Sequence, residues 1–409
     1  MFKIKLPMLL AAAVCAAAFF GSAAAAPLPA ARIVLGDEVF LRTAEQDLHG
    51  RCVGVITNQT GVTSRLVNIV DAIKADPRIC IKAIYSPEHG LRGDRPAGAY
   101  VASYTDERTG LPVYSLYGKQ RHPSAAMLAG VDVLLFDIQD VGARPYTYVS
   151  TMAYAMEAAK QFDKEIWVLD RPNPIGGVQV EGPVLDPRFK SFIGLYPIAM
   201  RHGMTVGELA QMFNAQFGIG AKLRVIKMEG WRRSMLWPDT GLQWVQTSPN
   251  IPEWSTAMVY PCTGLIDNVG LNAGIGTTKP FKYAGAVGLD AYRLAAALNA
   301  RNLPGVYFRP AYWSPFFGAL KEQQIGGVEL DVFDPYTFQS VRTAVELISA
   351  VRAVSPQTIS ISAKPLATDW GTDTLASGLT EGLSAPQILE QWQPALARFK
   401  AIRAKYLLY

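Results

Sequence analysis

The chain has 409 residues, of which 18% are charged, and its formal net charge is +5 at pH 7. Acidic and basic residues are interspersed without a basic run, which argues against a nucleic-acid partner. The length exceeds that of one typical hydrophobic core, so two domains are expected.

The first 25 residues are predicted to be a cleaved secretory signal. Lys3 and Lys5 precede an apolar run that ends in small residues, and the mature chain should begin at Ala26. Removing these two lysines lowers the net charge from +5 to +3. The run is shorter than a membrane span and no later segment reaches one, so no membrane association is expected after cleavage. We expect a secreted protein of a bacterial periplasm.

Residues 26–190 alternate short apolar runs with helical patterns. The apolar runs lie at 52–57, 79–85, 111–118, 131–138 and 165–170, and the helical patterns at 64–75, 124–129 and 146–162. Strands that are apolar on both faces and separated by helices indicate a parallel sheet with helices on each side. The predicted fold class is α/β, with a Rossmann-like N-terminal domain.

Residues 191–409 are less regular and predict a second, smaller α+β domain packed on the first. Apolar runs lie at 223–228, 305–310 and 326–333, and helical patterns at 205–217, 289–300, 336–354, 385–393 and 395–405.

Three cysteines remain once Cys15 is removed with the signal. Cys52 and Cys80 each stand at the start of an apolar run, so they can form a disulfide if the two strands are neighbours. Two buried free thiols are the alternative. Cys262 has no metal-ligand spacing with nearby residues and is expected to be structural.

Polar side chains follow four of the predicted strands directly. They are Asn58 after the first strand, Glu88 and His89 after the second, Gln139 and Asp140 with Arg144 just beyond, and Asp170 with Arg171. Taken singly, Asn58 or Asp140 could be a helix cap or a turn residue. Because the carboxyl ends of parallel strands meet at one edge, where ligands bind, the four ends together predict a ligand site.

Two later segments add candidates. Glu181 lies in VEGP, and Arg201 and His202 precede a helix that Thr205 can cap. A lone histidine such as His202 is more often structural than catalytic. No GxSxG elbow, P-loop, GxGxxG or histidine metal spacing is present, so no cofactor or metal is expected. A desolvated Glu88 could donate a proton while a second carboxylate acts as base or nucleophile, as glycoside hydrolysis requires.

The order of several motifs resembles a bacterial family of exo-β-N-acetylmuramidases. The motifs are ITNQTGV, SPEHGLRGD, DIQDVGARPYTY, LDRPNP, VEGP, RHGMTVGELA, SPNIP and GTTKPF. The resemblance implies an active site in a cleft between the two domains. It also implies release of N-acetylmuramic acid from non-reducing ends of peptidoglycan fragments, without metal or nucleotide. By the same resemblance, Glu88 is the first catalytic residue and Glu181 its partner.

The implied substrate gives the arginines a role. N-acetylmuramic acid carries a lactyl carboxylate, which a guanidinium can bind through two parallel hydrogen bonds. The candidates are Arg92, Arg144, Arg171 and Arg201. Glu181 could act as base, nucleophile or electrostatic partner, or Glu181 or Asp170 could orient the 2-acetamido group of the substrate.

One segment departs from the resemblance. The chain reads DNVGLNAGIGT over residues 267–277, with Asp267 and Ile275 where many relatives have glutamate and arginine. This difference motivates one alternative, a periplasmic binding protein for an anionic sugar or muropeptide. A hydrolase of cell-wall esters or amides is another alternative.

Overall fold

The computed structural model describes residues 33–409, and the predicted signal lies outside them. Within these residues the twelve strands are β1 (Cys52–Thr57), β2 (Cys80–Ser86), β3 (Tyr104–Thr105), β4 (Pro112–Ser115), β5 (Val133–Asp137), β6 (Glu165–Leu169), β7 (Glu181–Val184), β8 (Ala199–Arg201), β9 (Lys222–Ile226), β10 (Tyr283–Val287), β11 (Val306–Trp313) and β12 (Ile325–Val332).

Eleven α-helices lie in the same part of the chain. They are α1 (Gly36–Leu48), α2 (Ile69–Ala75), α3 (Tyr148–Gln161), α4 (Val206–Ala215), α5 (Trp237–Thr240), α6 (Trp254–Thr263), α7 (Ala291–Asn299), α8 (Ser340–Val354), α9 (Ala363–Trp370), α10 (Thr374–Thr380) and α11 (Ala385–Arg403). Short 3-10 helices lie at Pro187–Phe189, Asp267–Val269, Pro356–Thr358 and Ala404–Tyr406.

The large sheet has the strand order β3-β4-β2-β1-β5-β6-β9, and all of its pairings are parallel except that of the edge strand β3. Its six parallel strands follow the Rossmann order 3-2-1-4-5-6. All five residues of β5 are buried, as expected for a strand covered on both faces. Successive strands are added on one side of β1 as far as β4 and on its other side from β5 onward. The switch point lies between β1 and β5, and the crevice there opens at their carboxyl ends. The predicted Rossmann-like domain is confirmed.

A smaller antiparallel sheet has the order β10-β12-β11. Helix α7 packs on this sheet and on α8, which in turn contacts α6 and α11. This is the second, smaller domain that the sequence predicted. The predicted boundary at residue 190 stays a prediction. Strand β9, which comes after residue 190, pairs with β6 of the large sheet.

Two helical predictions were wrong. Residues 124–129 form turns instead of a helix. The two helices expected at 385–393 and 395–405 are the single helix α11, which continues through Pro394. Proline removes one backbone donor and usually breaks a helix. Here Trp392, Leu396 and Phe399 are buried on one face, and this packing holds the two halves together.

Cys52 and Cys80 form a disulfide between the first residues of β1 and β2, which are register partners in the sheet. The structure therefore decides between the two alternatives for these cysteines. Cys262 is a free, buried thiol in α6.

The disulfide predicts a measurable loss of stability in the variant Cys52→Ser/Cys80→Ser. The bond closes a loop with a sequence separation of 28 residues, and restricting such a loop in the unfolded chain is worth about 3–4 kcal/mol. We expect the free energy of unfolding, measured by urea titration, to fall by about this amount. Reductant should destabilise the wild type similarly and leave the variant unchanged. Equal stability of the two proteins under oxidising conditions would contradict the prediction.

Candidate active site

The carboxyl ends of the central strands bring several predicted residues to one edge of the large sheet. After β1, the Asn58 side-chain oxygen accepts hydrogen bonds from the Thr60 backbone N–H at 2.9 Å and from its hydroxyl at 2.6 Å. The Thr60 hydroxyl oxygen accepts from the backbone N–H of Gln139, after β5, at 2.9 Å. The loops that follow β1 and β5 are thus tied together at the switch point. The Asn58 Nδ2 and Gln139 Oε1 atoms are buried without a partner.

Glu88 lies in the loop after β2 and is only 7% exposed. One carboxylate oxygen accepts a hydrogen bond from the Thr147 hydroxyl at 2.6 Å, and the other from the Gly98 backbone N–H at 2.9 Å. Thr147 stands at the start of α3. His89 has a positive φ of 69°, and its Nδ1 lies 2.7 Å from the Arg95 carbonyl oxygen. The His89 ring therefore orients the loop that carries Glu88.

Tyrosines from three segments surround Glu88. Burial and then the charge of Glu88 raise the pKa of Tyr117, in the loop after β4, to about 12. Burial is also the main cause of the raised pKa of Tyr148 at the start of α3 and of Tyr260 in α6, and Glu88 contributes to both. The phenols stay protonated at neutral pH. The Tyr148 hydroxyl already donates to the Thr247 carbonyl oxygen at 2.5 Å, so Tyr117 and Tyr260 are the phenols that can donate to a sugar without adding charge near the carboxylate.

Asp140 and His202 form a second buried polar pair. Burial raises the pKa of Asp140 to about 7, and it lowers the pKa of His202 to about 3, with the cations of Arg403 and Arg144 as further causes. The His202 Nδ1 accepts a hydrogen bond from the Met204 backbone N–H at 3.1 Å. The ring is therefore neutral with its proton on Nε2, which lies 3.9 Å from Asp140 Oδ2.

The Asp140–His202 pair has free hydrogen-bonding capacity. The second oxygen of Asp140, Oδ1, and the Nε2 of His202 are buried without partners. Asp140 also contributes to the raised pKa of Tyr148 and of Tyr260, the tyrosines that Glu88 affects. Asp140 also lies in the segment between β5 and α3 that ends at Thr147, the donor to Glu88.

Glu181 has different surroundings. Its carboxylate forms an ion pair with Arg201 at 2.7 Å and accepts a hydrogen bond from the backbone N–H of Val341, at the start of α8, at 3.1 Å. It contributes to the raised pKa of Cys262, whereas Glu88 contributes to that of Tyr260. Within residues 33–409, the hydrogen-bond partners of Glu181 all differ from those of Glu88.

Glu181 lines a groove of about 700 Å³ whose other polar lining includes Gln179, Arg342 and Lys400. Its predicted role as the catalytic partner stays a prediction.

The four predicted arginines are all engaged by the protein. Arg144 donates to the carbonyl oxygens of Pro183, Ile198 and Asp369, and burial lowers its pKa to about 10. Arg201 binds Glu181, and Arg92 pairs with Asp106 at 2.5 Å. Arg171 pairs with Asp37 at 2.9 Å and with Asp137 at 2.6 Å. Of these four arginines, only Arg92 has a guanidinium that reaches solvent, and its side chain is half exposed.

The hydrogen-bonding capacity of the Asp170 carboxylate is also taken up by the protein. Its carboxylate accepts hydrogen bonds from the hydroxyls of Thr205 and Tyr409, both at 2.8 Å, and from the Gly207 backbone N–H at 2.7 Å. These contacts fix the start of α4 against the end of β6. Substrate contacts of Asp170 stay a prediction that the observed geometry does not favour.

Sequence reasoning missed the site residues Thr147, Tyr117, Arg121, Tyr260 and Asp369. Tyr117 and Arg121 follow β4, so the rule used for the other strand ends could have found them. Asp369 and Tyr260 come from the second half of the chain, where no sequence signal pointed to this edge. Asp369 accepts a hydrogen bond from Asn268 at 2.7 Å, which connects the divergent 267–277 loop to the surroundings of Tyr260.

Comparison with known proteins identifies relatives along nearly the whole chain. Residues 53–255 match the N-terminal domain and residues 258–409 the C-terminal domain of the family described as exo-β-N-acetylmuramidase NamZ. The chain is 44% identical over 379 residues to the peptidoglycan β-N-acetylmuramidase NamZ of Bacillus subtilis (strain 168), covering 92% of each.

Two crystal structures of DUF1343 family proteins from Bacteroides fragilis are also similar. One has a TM-score of 0.87 and 38% identity, and the match covers 93% of this chain and 100% of that one. The other has a TM-score of 0.74 and 27% identity, covering 92% of this chain and 99% of that one. The similarity therefore includes both domains.

Burial of Asp140 predicts a pH-dependent stability. Its pKa is raised from 3.8 to about 7 in the folded protein. Between these values the folded state binds one more proton than the unfolded state, so this group makes stability fall as pH rises, by about 1.4 kcal/mol per pH unit. Asp140→Asn removes this contribution. The stability of the variant relative to the wild type should therefore rise from about pH 4.5 to about pH 6.5 in urea titrations.

Asp94→Asn is the matched control, because Asp94 is 62% exposed. Its stability relative to the wild type should stay constant over the same pH range. A constant difference for Asp140→Asn as well would contradict the raised pKa.

Proposed function

The chain belongs to the exo-β-N-acetylmuramidase family, and from that membership we propose that it releases N-acetylmuramic acid from non-reducing ends of peptidoglycan fragments. The observation in this chain that carries the proposal is the buried Glu88 carboxyl, held by Thr147 and Gly98 among tyrosines at the edge of the sheet. Family membership favours this glycosidase over the alternatives of a binding protein and of an ester or amide hydrolase.

Glu88 is the proposed general acid. It gives its proton to the glycosidic oxygen while the bond from that oxygen to the anomeric carbon breaks, so the leaving sugar departs as a neutral alcohol. The hydrogen bonds from Thr147 and Gly98 fix the direction of the carboxyl group. Once deprotonated, the carboxylate keeps the same two donors.

The positive charge that develops at the anomeric carbon needs a partner. Asp140 is a better candidate for this role than Glu181, because its Oδ1 has no hydrogen-bond partner whereas the two oxygens of Glu181 are bound by Arg201 and by the start of α8. A pKa raised to about 7 leaves Asp140 partly ionised at neutral pH. Asp140 can serve as base for water, as nucleophile, or by orienting the 2-acetamido group. The first route inverts the anomeric configuration and the other two retain it, so the anomer of the first product, read by NMR, separates the first route from the other two.

We also propose that the protein is exported to the periplasm and acts there in cell-wall recycling. The predicted signal over residues 1–25 and the Cys52–Cys80 disulfide, a bond typical of oxidising compartments, support export. Within residues 33–409, no helix has the length and apolar character needed to cross a bilayer.

Mass spectrometry of the protein from the periplasm of a bacterial host that expresses the full chain tests the export proposal. The expected mass corresponds to a chain beginning at Ala26. Recovery of an uncleaved chain in the cytoplasm alone would contradict it.

Glu88→Gln should abolish most of the turnover. Loss of a general acid costs on the order of 100-fold or more in kcat on a disaccharide that ends in N-acetylmuramic acid. The loss should be smaller on a nitrophenyl N-acetylmuramide, because that leaving group needs less protonation. Glu107→Gln, at an exposed glutamate, is the control. Turnover of Glu88→Gln within a few-fold of the wild type on both substrates would exclude the assignment.

Glu181→Gln distinguishes a structural from a catalytic glutamate. Because Glu181 pairs with Arg201 and binds the start of α8, we expect kcat within about tenfold of the wild type. The free energy of unfolding should fall by about 1–3 kcal/mol. A 100-fold loss of kcat without a loss of stability would instead establish Glu181 as the catalytic partner.

A further inference from the structure

An anionic substrate needs a cation that the protein has not already neutralised. The proposed substrate carries a lactyl carboxylate on O3 of the sugar, away from the anomeric carbon where Glu88 acts. Three of the four arginines predicted for this carboxylate are buried in internal contacts, and Arg92 is paired with Asp106. A guanidinium without an internal counterion would suit this carboxylate better.

Arg121, in the loop after β4, has the necessary freedom. Its guanidinium carbon lies 4.0 Å from the ring centroid of Phe192 and 5.7 Å from that of Tyr117. Across residues 33–409 it makes no hydrogen bond or ion pair, and its Nε atom is buried without a partner. A guanidinium stacked on aromatic rings keeps its in-plane N–H groups available for a carboxylate.

Glu157, an acid in the same region, is already occupied. Both Glu157 and Arg121 affect the pKa of Tyr154, so Glu157 lies in the same region. Its two oxygens bind the His122 ring at 2.8 Å and the Tyr196 hydroxyl at 3.0 Å. Arg121 therefore keeps its charge without an internal counterion.

Tyr117 connects Arg121 to the catalytic site. After burial, Glu88 raises the pKa of Tyr117 and Arg121 lowers it, so both charges lie close to this one side chain. The acid and the cation are neighbours of the same phenol and do not pair with each other. A sugar can therefore present its glycosidic oxygen to one and its carboxylate to the other.

We propose that Arg121, stacked on Phe192 and Tyr117, binds the lactyl carboxylate of the terminal N-acetylmuramic acid and thereby sets the specificity of the enzyme. This inference rests on the proposed function. The carboxylate accepts two parallel N–H bonds from the guanidinium. The enzyme should therefore prefer a sugar with a free lactyl carboxylate over a neutral derivative of the same sugar.

The test compares two substrates in the wild type and in Arg121→Gln. One is nitrophenyl N-acetylmuramide, and the other is the same compound with its lactyl carboxylate converted to the neutral methylamide. The wild type should prefer the free acid by about 10- to 100-fold in kcat/KM, mainly through KM, as expected for loss of a charged hydrogen bond. In Arg121→Gln the preference should fall to within about threefold, with the methylamide reaction nearly unchanged. Arg121→Lys should keep part of the preference.

Arg188→Gln is the matched control. Arg188 also stacks on a phenylalanine, Phe189, at 5.1 Å, but it is paired with Asp186 and Asp373. This variant should keep the full preference. An undiminished preference in Arg121→Gln, or an equal loss on both substrates, would overturn the proposal.

Failure of the proposed function gives a different result. In that case the wild type releases nitrophenol from neither substrate. Calorimetric titration with N-acetylmuramic acid and with its methylamide then tests the subsite alone. Preferential binding of the acid by the wild type, lost in Arg121→Gln, supports the proposal, and equal binding of the two sugars by the wild type overturns it.

Discussion

The architecture of the site depends on a single buried guanidinium. Arg171, directly after β6, binds Asp137 at the end of β5, Asp37 in α1 and the Val62 carbonyl after β1. One cation serves two buried acids, and burial raises the pKa of Asp37 to about 8. Burial also raises the pKa of Asp137, so the two acids share the charge of this one guanidinium. The cluster fixes the carboxyl ends of the central strands, on which the loops of the site are built.

The need of a buried guanidinium for hydrogen-bond acceptors explains why three arginines that were predicted to bind substrate have structural roles instead. A buried guanidinium has five donors and cannot lose its charge, so the fold must supply acceptors for it. Arg144 meets this need with backbone carbonyl oxygens and Arg201 with Glu181 and carbonyls. The sequence identifies the residue type and its strand end but not its partner. Arg121 differs because aromatic rings cover its face and leave its edge unpaired.

The six parallel strands of the large sheet were predictable, and each begins within two residues of its expected start, because the runs are largely apolar. The short edge strand β3, whose two residues are exposed, was missed. The rule for strand ends likewise found Glu88 and Asp140. Helix α1 was missed although Phe40, Ala44 and Leu48 form a buried stripe. Tyr260 was unpredictable because it lies more than a hundred residues from Glu88 in the sequence, and only tertiary packing brings its ring to 5.7 Å from that of Tyr146, in the loop after β5.

The charges of the site suit an anionic sugar. His202 is neutral, and Asp140, with a pKa of about 7, carries only part of a negative charge at neutral pH, so repulsion of a substrate carboxylate is reduced. A direct ion pair between Glu88 and Arg121 would leave neither group available to a substrate, because breaking a buried ion pair is unfavourable. Tyr117 prevents this by standing next to both groups. Its phenol stays uncharged, so Glu88 remains free to protonate an oxygen while Arg121 remains free to bind a carboxylate.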